Sequence, residues 1–396
     1  MHISRITAAA LAALLALPAI AAAQDTTHTG AADTTHEAPP PAPAVKTPSL
    51  DFSGWVFGNF QVQTDDAAKA ANGGKSPNKF DIERAYLTFK MPAGDRASVR
   101  VTTDIKPGAA SSGYQGWFVR LKYAYLQYDY LRSARGANGW NATARIGMLH
   151  TVLIDHQETF WPRYLGKVAT ERFGFFSSAD LGAATQITLP NKAGELYATV
   201  TNGGGYEAPE ADRFKDYAAR LSLTPLARAG GILGTFTISP WAYIGSTASK
   251  FAADPTTPIT DKLDRNRYGV FAGIKDRRLT VAGEWAQRTD ESESGDTPLA
   301  RVVNKTTGQL IDGFVILRPI ELADPSAHSP VGVVFRWDRF EPSTSADGDT
   351  RFITAGIFVE PSARTSLALD YQDAKPENGL AGAPSKTWFL HWQVLF

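Results

Sequence analysis

The sequence predicts an all-β fold: a closed antiparallel transmembrane β-barrel of about 16 strands, with its long third loop folded into the lumen. Apolar and polar residues alternate with period two along almost every segment after residue 50. Long and short connections alternate between these segments, and the chain ends in the alternating stretch "KTWFLHWQVLF". The residues that share the aromatic face of this last strand are Trp388, Leu390, Trp392, Val394 and Phe396. A soluble protein would have to bury such a face, whereas a membrane barrel exposes it to lipid.

The chain begins with a segment typical of export. Arg5 precedes an apolar run from Ile6 to Ile20, and three alanines then provide a cleavage site, so residues 1–23 are predicted to be a signal peptide. The run is shorter than the roughly 20 apolar residues of a membrane-spanning helix. Residues 24–49 are small, polar and Pro-rich and are predicted to form a disordered periplasmic tether. Residues 50–396 are assigned to the barrel.

The composition narrows the class of protein. The 40 Lys and Arg residues balance the 40 Asp and Glu residues, so a nucleic-acid partner has no electrostatic support. The chain has no Cys, so its stability is expected to come from a large core or a closed sheet rather than from disulfides. The mean hydropathy of −0.21 argues against a helical membrane protein. A membrane β-barrel remains compatible with it, because only alternate residues of its strands need to be apolar.

The predicted strands are even in number, as single-chain bacterial barrels require. They lie near residues 51–63, 79–91, 97–106, 117–130, 140–149, 179–189, 194–202, 213–224, 231–245, 265–275, 277–288, 310–320, 330–341, 350–360, 363–373 and 385–396.

The connections between the strands indicate the membrane and the orientation. Short turns such as "PAGDR", "PNKAG", "KDRR" and "PSAR" alternate with long loops, which include 151–178, 246–264, 289–309 and 374–384. Outer-membrane barrels have long outer loops and short periplasmic turns. The sequence therefore predicts a bacterial outer-membrane protein that contacts lipid and has both termini in the periplasm. The terminal Phe396 is predicted to be the assembly signal, read by the assembly machinery through the last strand.

The longest connection, 151–178, is too rich in apolar residues for a solvated loop. We expect it to fold into the lumen and narrow a diffusion pathway for small hydrophilic solutes. The charged residues expected at this constriction are Asp155, Glu158, Arg163, Lys167, Glu171 and Arg172.

The polar faces of the strands predict a lumen wall with an excess of positive charge. Its cations would be Arg84, Arg100, Arg120, Lys122, Arg145, Arg220, Arg267, Arg288, Arg336 and Arg364. Its carboxylates would be Asp104, Asp216, Glu284, Asp338 and Asp370. Arginines facing water would favour anions. The alternative is that these cations pair with the carboxylates and with the loop, which would leave a weakly selective pore.

Two stretches resemble the phosphate-selective porin O and P family: "FDIERAYLTFKMPAGDRASVRVTTDI", which starts at residue 80, and "RIGMLH…FWPRYLGKVATERFGFFSSADLGA". The resemblance is diffuse and runs over residues 50–396. It implies a 16-stranded outer-membrane porin, usually a homotrimer, with loops folded into the lumen. Phosphate-specific members have an arginine ladder and a central lysine cluster. A dense lysine cluster is not evident here, so a general anion or small-solute porin is the expectation.

Other classes of protein fit the sequence less well. Asp155, His156 and Glu158 could suggest acid–base or metal chemistry, but the chain has no H-E-x-x-H, G-x-S-x-G, P-loop or GxGxxG motif. We therefore expect no enzyme, no cofactor and no metal site. A soluble secreted β-sandwich would not need long and short connections to alternate. A barrel that acts as a structural anchor is the remaining alternative.

Overall fold

The structure is a computed structural model that describes residues 49–108, 116–210, 212–251 and 262–396. The predicted signal peptide and all of the predicted tether except residue 49 lie outside these residues. Within the described residues, 16 antiparallel strands form a closed barrel, in which β1 pairs with both β2 and β16. The predicted fold class is confirmed.

The strands follow the chain in order around the barrel. They are β1 Asp51–Gln63, β2 Asn78–Pro92, β3 Ala97–Pro107, β4 Trp117–Leu131, β5 Asn141–His150, β6 Ala179–Thr188, β7 Gly194–Thr201, β8 Asp216–Leu223, β9 Thr237–Ala248, β10 Lys262–Lys275, β11 Leu279–Ser294, β12 Val302–Leu317, β13 Val331–Glu341, β14 Asp349–Ser362, β15 Thr365–Glu377 and β16 Ser385–Leu395.

Short helices occur only between strands in the described residues. The α-helices are α1 Asp66–Ala71, α2 Ile154–Glu158, α3 Ala169–Arg172 and α4 Pro319–Ala323. The 3₁₀ turns are Gly136–Asn138, Arg163–Leu165, Pro190–Lys192, Leu233–Thr235 and Pro298–Ala300. No helix in the described part of the chain is long and apolar enough to cross a membrane.

The alternation in sequence becomes a difference between the two faces of the barrel wall. In β13, Val333 and Phe335 are 38% and 49% exposed on the outer face. Their neighbours Arg336 and Asp338 are 1% and 0% exposed on the inner face. Apolar residues thus lie outside and charged residues inside, the reverse of a soluble protein and the arrangement of a membrane barrel. In β16, Trp388 and Leu390 are likewise exposed on the outer face, which explains the aromatic stripe of the last strand.

The barrel has two ends, which we call the loop end and the turn end. The connection after each odd-numbered strand lies at the loop end, and the connection after each even-numbered strand lies at the turn end. Because there are 16 strands, residue 51 and residue 396 are both at the turn end.

The predicted contrast between long loops and short turns is only partly present. The prediction of a long loop at 289–309 is wrong, because β11 continues to Ser294 and β12 begins at Val302. The two strands pair beyond the apolar part of the wall, for example Glu291 with Lys305, where residues on both faces are polar and the alternation disappears. The turn-end connections 224–236 and 318–330 are long, and β9 begins at Thr237 rather than near residue 231.

Candidate pore constriction

The connection 151–178, here called L3, lies inside the barrel and forms a core with one side of its wall. Its residues Trp161, Leu165 and Phe175 are almost completely buried. The ring of Trp161 meets Phe314 of β12 edge to face, with centroids 5.1 Å apart. Phe173 stacks on Phe340 of β13 at 4.8 Å. The apolar residues of L3 therefore pack against the inner wall, which is why the loop does not extend into solvent.

Further contacts extend this core along the wall from β8 to β16. Phe160 packs against Phe271 of β10 at 5.0 Å, and Tyr164 packs against His391 of β16 at 6.5 Å. On β11, Glu284 accepts hydrogen bonds from Gln157 of L3 at 2.5 Å and from Trp241 of β9 at 2.7 Å.

Four of the predicted wall arginines hold the backbone of L3. Each donates to a carbonyl oxygen of the loop, which satisfies groups that regular secondary structure leaves unpaired. The pairs are Arg220 with Val152, Arg267 with Phe175, Arg288 with Phe173 at 2.7 Å, and Arg336 with Lys167 at 2.7 Å.

The same four arginines also have carboxylate partners. Arg336 makes a two-pronged bond to Asp338, at 2.7 and 2.8 Å. The others pair Arg220 with Glu195, and Arg267 and Arg288 with Asp290 at 3.4 and 3.8 Å. On this side of the barrel the wall arginines are largely compensated, and their main contact is the loop.

The charged residues of L3 form two groups. In the first, Arg163 lies between Glu158 and Glu171, with nitrogen–oxygen distances of 3.3 and 3.2 Å. Lys167, which is half-exposed, reaches Glu171 at 3.7 Å. In the second, Arg172 points the other way: its guanidinium lies 3.3 Å from the ring centroid of Phe352, on β14, and 3.7 Å from Asp338. The structure thus joins four of the six predicted constriction residues in one cluster and places Arg172 separately, against β13 and β14.

Asp155, on the side of L3 away from the core, bridges the loop to the opposite wall. It accepts a 2.7 Å hydrogen bond from the hydroxyl of Tyr123 on β4. Burial raises the pKa of Asp155, but His150, Lys122 and the Tyr123 hydrogen bond together hold it below the ordinary value. Asp155 is therefore an anion at neutral pH, and its side chain remains 34% exposed.

The pKa of Glu158 is raised to about 7, mainly because burial disfavours the charged carboxylate. Lys122 and Arg163 oppose this shift, whereas Asp155 and Glu171 add to it. Glu158 is therefore close to half-protonated at neutral pH.

Three cations of the wall opposite L3, on β3, β4 and β5, have no carboxylate within ion-pair distance among the described residues. Arg100 stacks on the ring of Tyr123 at 4.6 Å, and Lys122 lies 4.4 Å from the ring centroid of Tyr86. Arg145 donates to two amide oxygens, those of Gln127 at 2.9 Å and Gln186 at 2.8 Å. Stacking and neutral hydrogen bonds hold a cation in place without cancelling its charge.

Tyrosines of this wall, which sequence reasoning missed, position these cations. They are Tyr86, Tyr123, Tyr125 and Tyr197. The alternation of Tyr123 and Tyr125 in β4 could have indicated an inward aromatic face. A β-bulge obscured it: Thr102 pairs with Tyr123 but Thr103 pairs with Leu121, so Lys122 is an extra residue and both it and Tyr123 are buried.

The remaining predicted wall residues divide into paired and misplaced ones. Arg84 pairs with Asp104 at 3.0 Å, and Arg120 pairs with Glu207 at 2.9 Å. Arg364 does not line the lumen, and this prediction is wrong. It lies in the tight turn between β14 and β15, where its side chain is exposed, because β14 ends at Ser362 and β15 begins only at Thr365.

Accessible space exists on both sides of L3. A cavity of about 480 Å³ lies on the turn side, lined by residues that include Glu158, Phe160, Ile316, Arg318 and Phe358. A smaller one of about 50 Å³ lies on the loop side, next to Arg265 and Arg267. Among the residues that the structure describes, there is no group of three or more His, Asp or Glu side chains placed to hold a metal ion.

Solved structures with the same fold include one described as a porin and one described as an outer-membrane protein. The anion-selective porin from Comamonas acidovorans aligns with a TM-score of 0.55 and 12% identity, over 88% of this chain and 100% of that chain. The chain shares the porin fold. Pseudomonas putida OprB aligns at 0.60 with 9% identity, over 88% and 94% of the two chains. The trimer form of OmpT, an outer-membrane protein of Vibrio cholerae, aligns at 0.55 with 10% identity, over 89% and 100%.

At such low sequence identity, these structural alignments show the common fold and do not assign a family or a substrate. No protein-family model matches the chain, and no curated protein matches it.

Proposed function

We propose that the protein is an outer-membrane porin that lets small hydrophilic solutes diffuse passively, with a modest preference for anions. The apolar outer face and the charged inner face support a lipid environment around a hydrated interior. The porin fold suggests a channel rather than an enzyme. We also propose a homotrimer, because a solved structure of the same fold is described as a trimer.

One observation supports the proposed anion preference: the cations that lack a carboxylate partner lie together on one part of the wall. No carboxylate of the described residues is within ion-pair distance of Arg100, Lys122 or Arg145, whereas the arginines of β8 to β13 have carboxylate partners. These three cations are on β3, β4 and β5, opposite L3. Solutes would pass between this wall and the loop, where fixed positive charge lowers the barrier for anions.

The loop side of the same passage limits the preference. Asp155 and Glu158 lie near Lys122, and Arg163 and Lys167 offset part of the negative charge of Glu158 and Glu171. The field therefore runs across the passage from wall to loop, and the carboxylates of the loop offset part of the positive charge of the wall. This favours a modest anion preference over phosphate specificity. Membership of the phosphate-selective family remains a prediction from the resemblance alone.

Planar-bilayer recording of the purified protein, with the reversal potential measured under a salt gradient, tests the proposal. We expect open steps and a reversal potential on the anion side. Changing Arg100 and Arg145 together to Gln should shift it towards cations, whereas changing both to Lys, which keeps the charge, should not. An unchanged potential in the Gln variant would refute the assignment of selectivity. Correctly folded protein without steps would refute the porin function and favour a structural barrel.

A further inference from the structure

A second loop folds over the wall at the loop end. This loop, called L4 here, connects β7 and β8, and the structure describes its residues 202–210 and 212–215. These residues contact β3 and β4, which lie several strands away in the barrel order. Oε1 of Glu207 in L4 accepts a hydrogen bond from Nζ of Lys106 at 2.6 Å. The same oxygen lies 2.9 Å from Nη1 of Arg120.

The neighbouring residue fixes the position of L4. The hydroxyl of Tyr206 donates to Oδ2 of Asp104 at 2.9 Å, and the guanidinium of Arg120 lies 5.9 Å from the Tyr206 ring centroid. Asp104 is fully buried and also accepts a 3.0 Å hydrogen bond from Arg84. Since Asp104 is on the inner face of β3, L4 bends into the mouth of the barrel and not away from it.

The geometry around Glu207 is that of an occupied anion site. An ammonium and a guanidinium converge on a single carboxylate oxygen, a charge-assisted arrangement that recognises carboxylates in general. The two cations are the better fixed partners: the side chains of Lys106 and Arg120 are 19% and 24% exposed, whereas that of Glu207 is 49% exposed. The cations belong to strands and the carboxylate to a loop.

The carboxylate remains charged under ordinary conditions. Burial raises the pKa of Glu207, but the Lys106 hydrogen bond and the charges of Lys106 and Arg120 hold it below the usual value. Its attachment is nevertheless weak, because half-exposed ion pairs contribute little and are screened by salt. Another carboxylate at sufficient concentration can therefore compete for the same two cations.

We propose that Lys106 and Arg120 form a binding site for small carboxylate solutes at the loop end of the barrel, and that Glu207 occupies this site until a solute displaces it. The site lies between the loop end and L3, so it would concentrate carboxylates in front of the constriction. Its role in uptake rests on the proposed porin function, but carboxylate binding itself does not.

Removal of the internal competitor should raise the apparent affinity. If Glu207 occupies the site about nine-tenths of the time, the change Glu207→Gln lowers the apparent dissociation constant of a solute about tenfold. The matched control is Asp347→Asn, which removes an exposed carboxylate at the same end of the barrel, between β13 and β14. This control should leave the constant unchanged.

Two measurements with potassium acetate test the site. The first is channel conductance as a function of acetate concentration, relative to potassium chloride. We expect conductance to saturate at a lower acetate concentration in Glu207→Gln than in the unmodified protein. The saturation should be lost when Lys106 and Arg120 are both changed to Gln. The same curve in Glu207→Gln and in the unmodified protein would overturn the proposal.

The second measurement is hydrogen exchange of peptides from L4 in the folded unmodified protein, which requires neither conductance nor a variant. Acetate should accelerate exchange of L4 amides in a saturable way as Glu207 is released, while chloride at equal ionic strength should not. No acceleration would overturn the proposal. Acceleration by inorganic phosphate at lower concentrations than acetate would overturn the carboxylate assignment. Protein that binds acetate without conducting would refute the porin function alone.

Discussion

The ring of Phe396, the last residue, lies directly over Gly54 on the outer face of β1. A Cβ atom at position 54 would be 2.2 Å from Cζ of the ring, so only glycine leaves the space that the ring occupies. The two residues also exchange backbone hydrogen bonds, from Gly54 N to Phe396 O at 2.7 Å and from Phe396 N to Gly54 O at 3.0 Å. The C-terminus thus completes the seam that closes the barrel.

The first prediction concerns this seam. The change Phe396→Ala should lower the yield of folded barrel and leave the conductance of each folded channel unaltered, because the ring is on the outer face and far from L3. The ring is 51% exposed, so the loss corresponds to about 1 kcal/mol of apolar burial. The heat-modifiable fraction on gels measures folding, with Leu395→Ala as the control. Undiminished folding in Phe396→Ala would show that the ring plays no part in assembly.

The second prediction concerns Gly58, the next outward-facing glycine of the same seam. A Cβ atom there would be 2.3 Å from the carbonyl oxygen of Asp81 and 2.9 Å from the Trp392 ring. Because backbone cannot move aside as a side chain can, Gly58→Ala should reduce the folded fraction more than Gly54→Ala does. Gly313→Ala, where the nearest atom would be 3.7 Å away, should be tolerated. Equal losses in all three variants would contradict this steric account.

The third prediction concerns pH. The pKa of Glu158 is about 7, so its carboxyl loses its proton between about pH 6 and pH 8. Since protonation removes a negative charge from the passage, anion preference should be strongest at the acidic end and decline as the pH rises. The groups that face Glu158 are Lys122, Arg163, Asp155 and Glu171. Reversal potentials across this range measure the effect, and Glu158→Gln should abolish the pH dependence. A decline that persists in Glu158→Gln would assign it to another group.

The fourth prediction concerns the bridge between L3 and the wall. The change Tyr123→Phe removes the 2.7 Å hydrogen bond to Asp155 and keeps the ring on which Arg100 stacks. Freed from β4, the side chain of Asp155 should fold back onto the rest of L3, and open-channel conductance should rise while ion preference changes little. Tyr125→Phe removes a neighbouring hydroxyl that does not contact Asp155 and serves as the control. If both variants conduct alike, the hydrogen bond does not restrict the passage.

The strands could be predicted because the pattern that specifies them is local. Each strand inside the membrane region alternates between lipid and interior, so period two is visible without knowledge of its neighbours. The pattern fails where that asymmetry ends. Thr289 and Thr307 pair beyond the apolar part of the wall. Both faces of the strands are polar there, so the alternation is lost and the sequence resembles that of a loop. Arg364 was misplaced because a two-residue turn continues the alternation of the strands beside it.

The arrangement of the interior charges could not be predicted, because it depends on contacts between residues far apart in the chain. Arg336 has two partners: Asp338, two positions away, and the carbonyl oxygen of Lys167, 169 positions away. The bulge at Lys122 shifts one strand by a residue and brings two adjacent side chains inside. The polar faces of the predicted strands indicate an excess of positive charge on the wall, although the chain as a whole is neutral. Among the described arginines and lysines on the inner wall of β3 to β5, Arg100, Lys122 and Arg145 are the ones without a carboxylate partner.

The packed contact between L3 and the wall has a mechanical consequence. Close-packed interiors have low compressibility and resist displacement, in contrast to a solvated loop that bends freely. Trp161 and Phe175 pack against the wall, and arginines donate hydrogen bonds to carbonyl oxygens of L3. L3 should therefore be rigid. Voltage or pressure should deform it little. L4 should be more easily displaced, because its ion pairs through Glu207 are half-exposed. Fluctuations of the channel current and voltage-driven closure should therefore originate at the mouth of the barrel, where L4 lies, and not at L3.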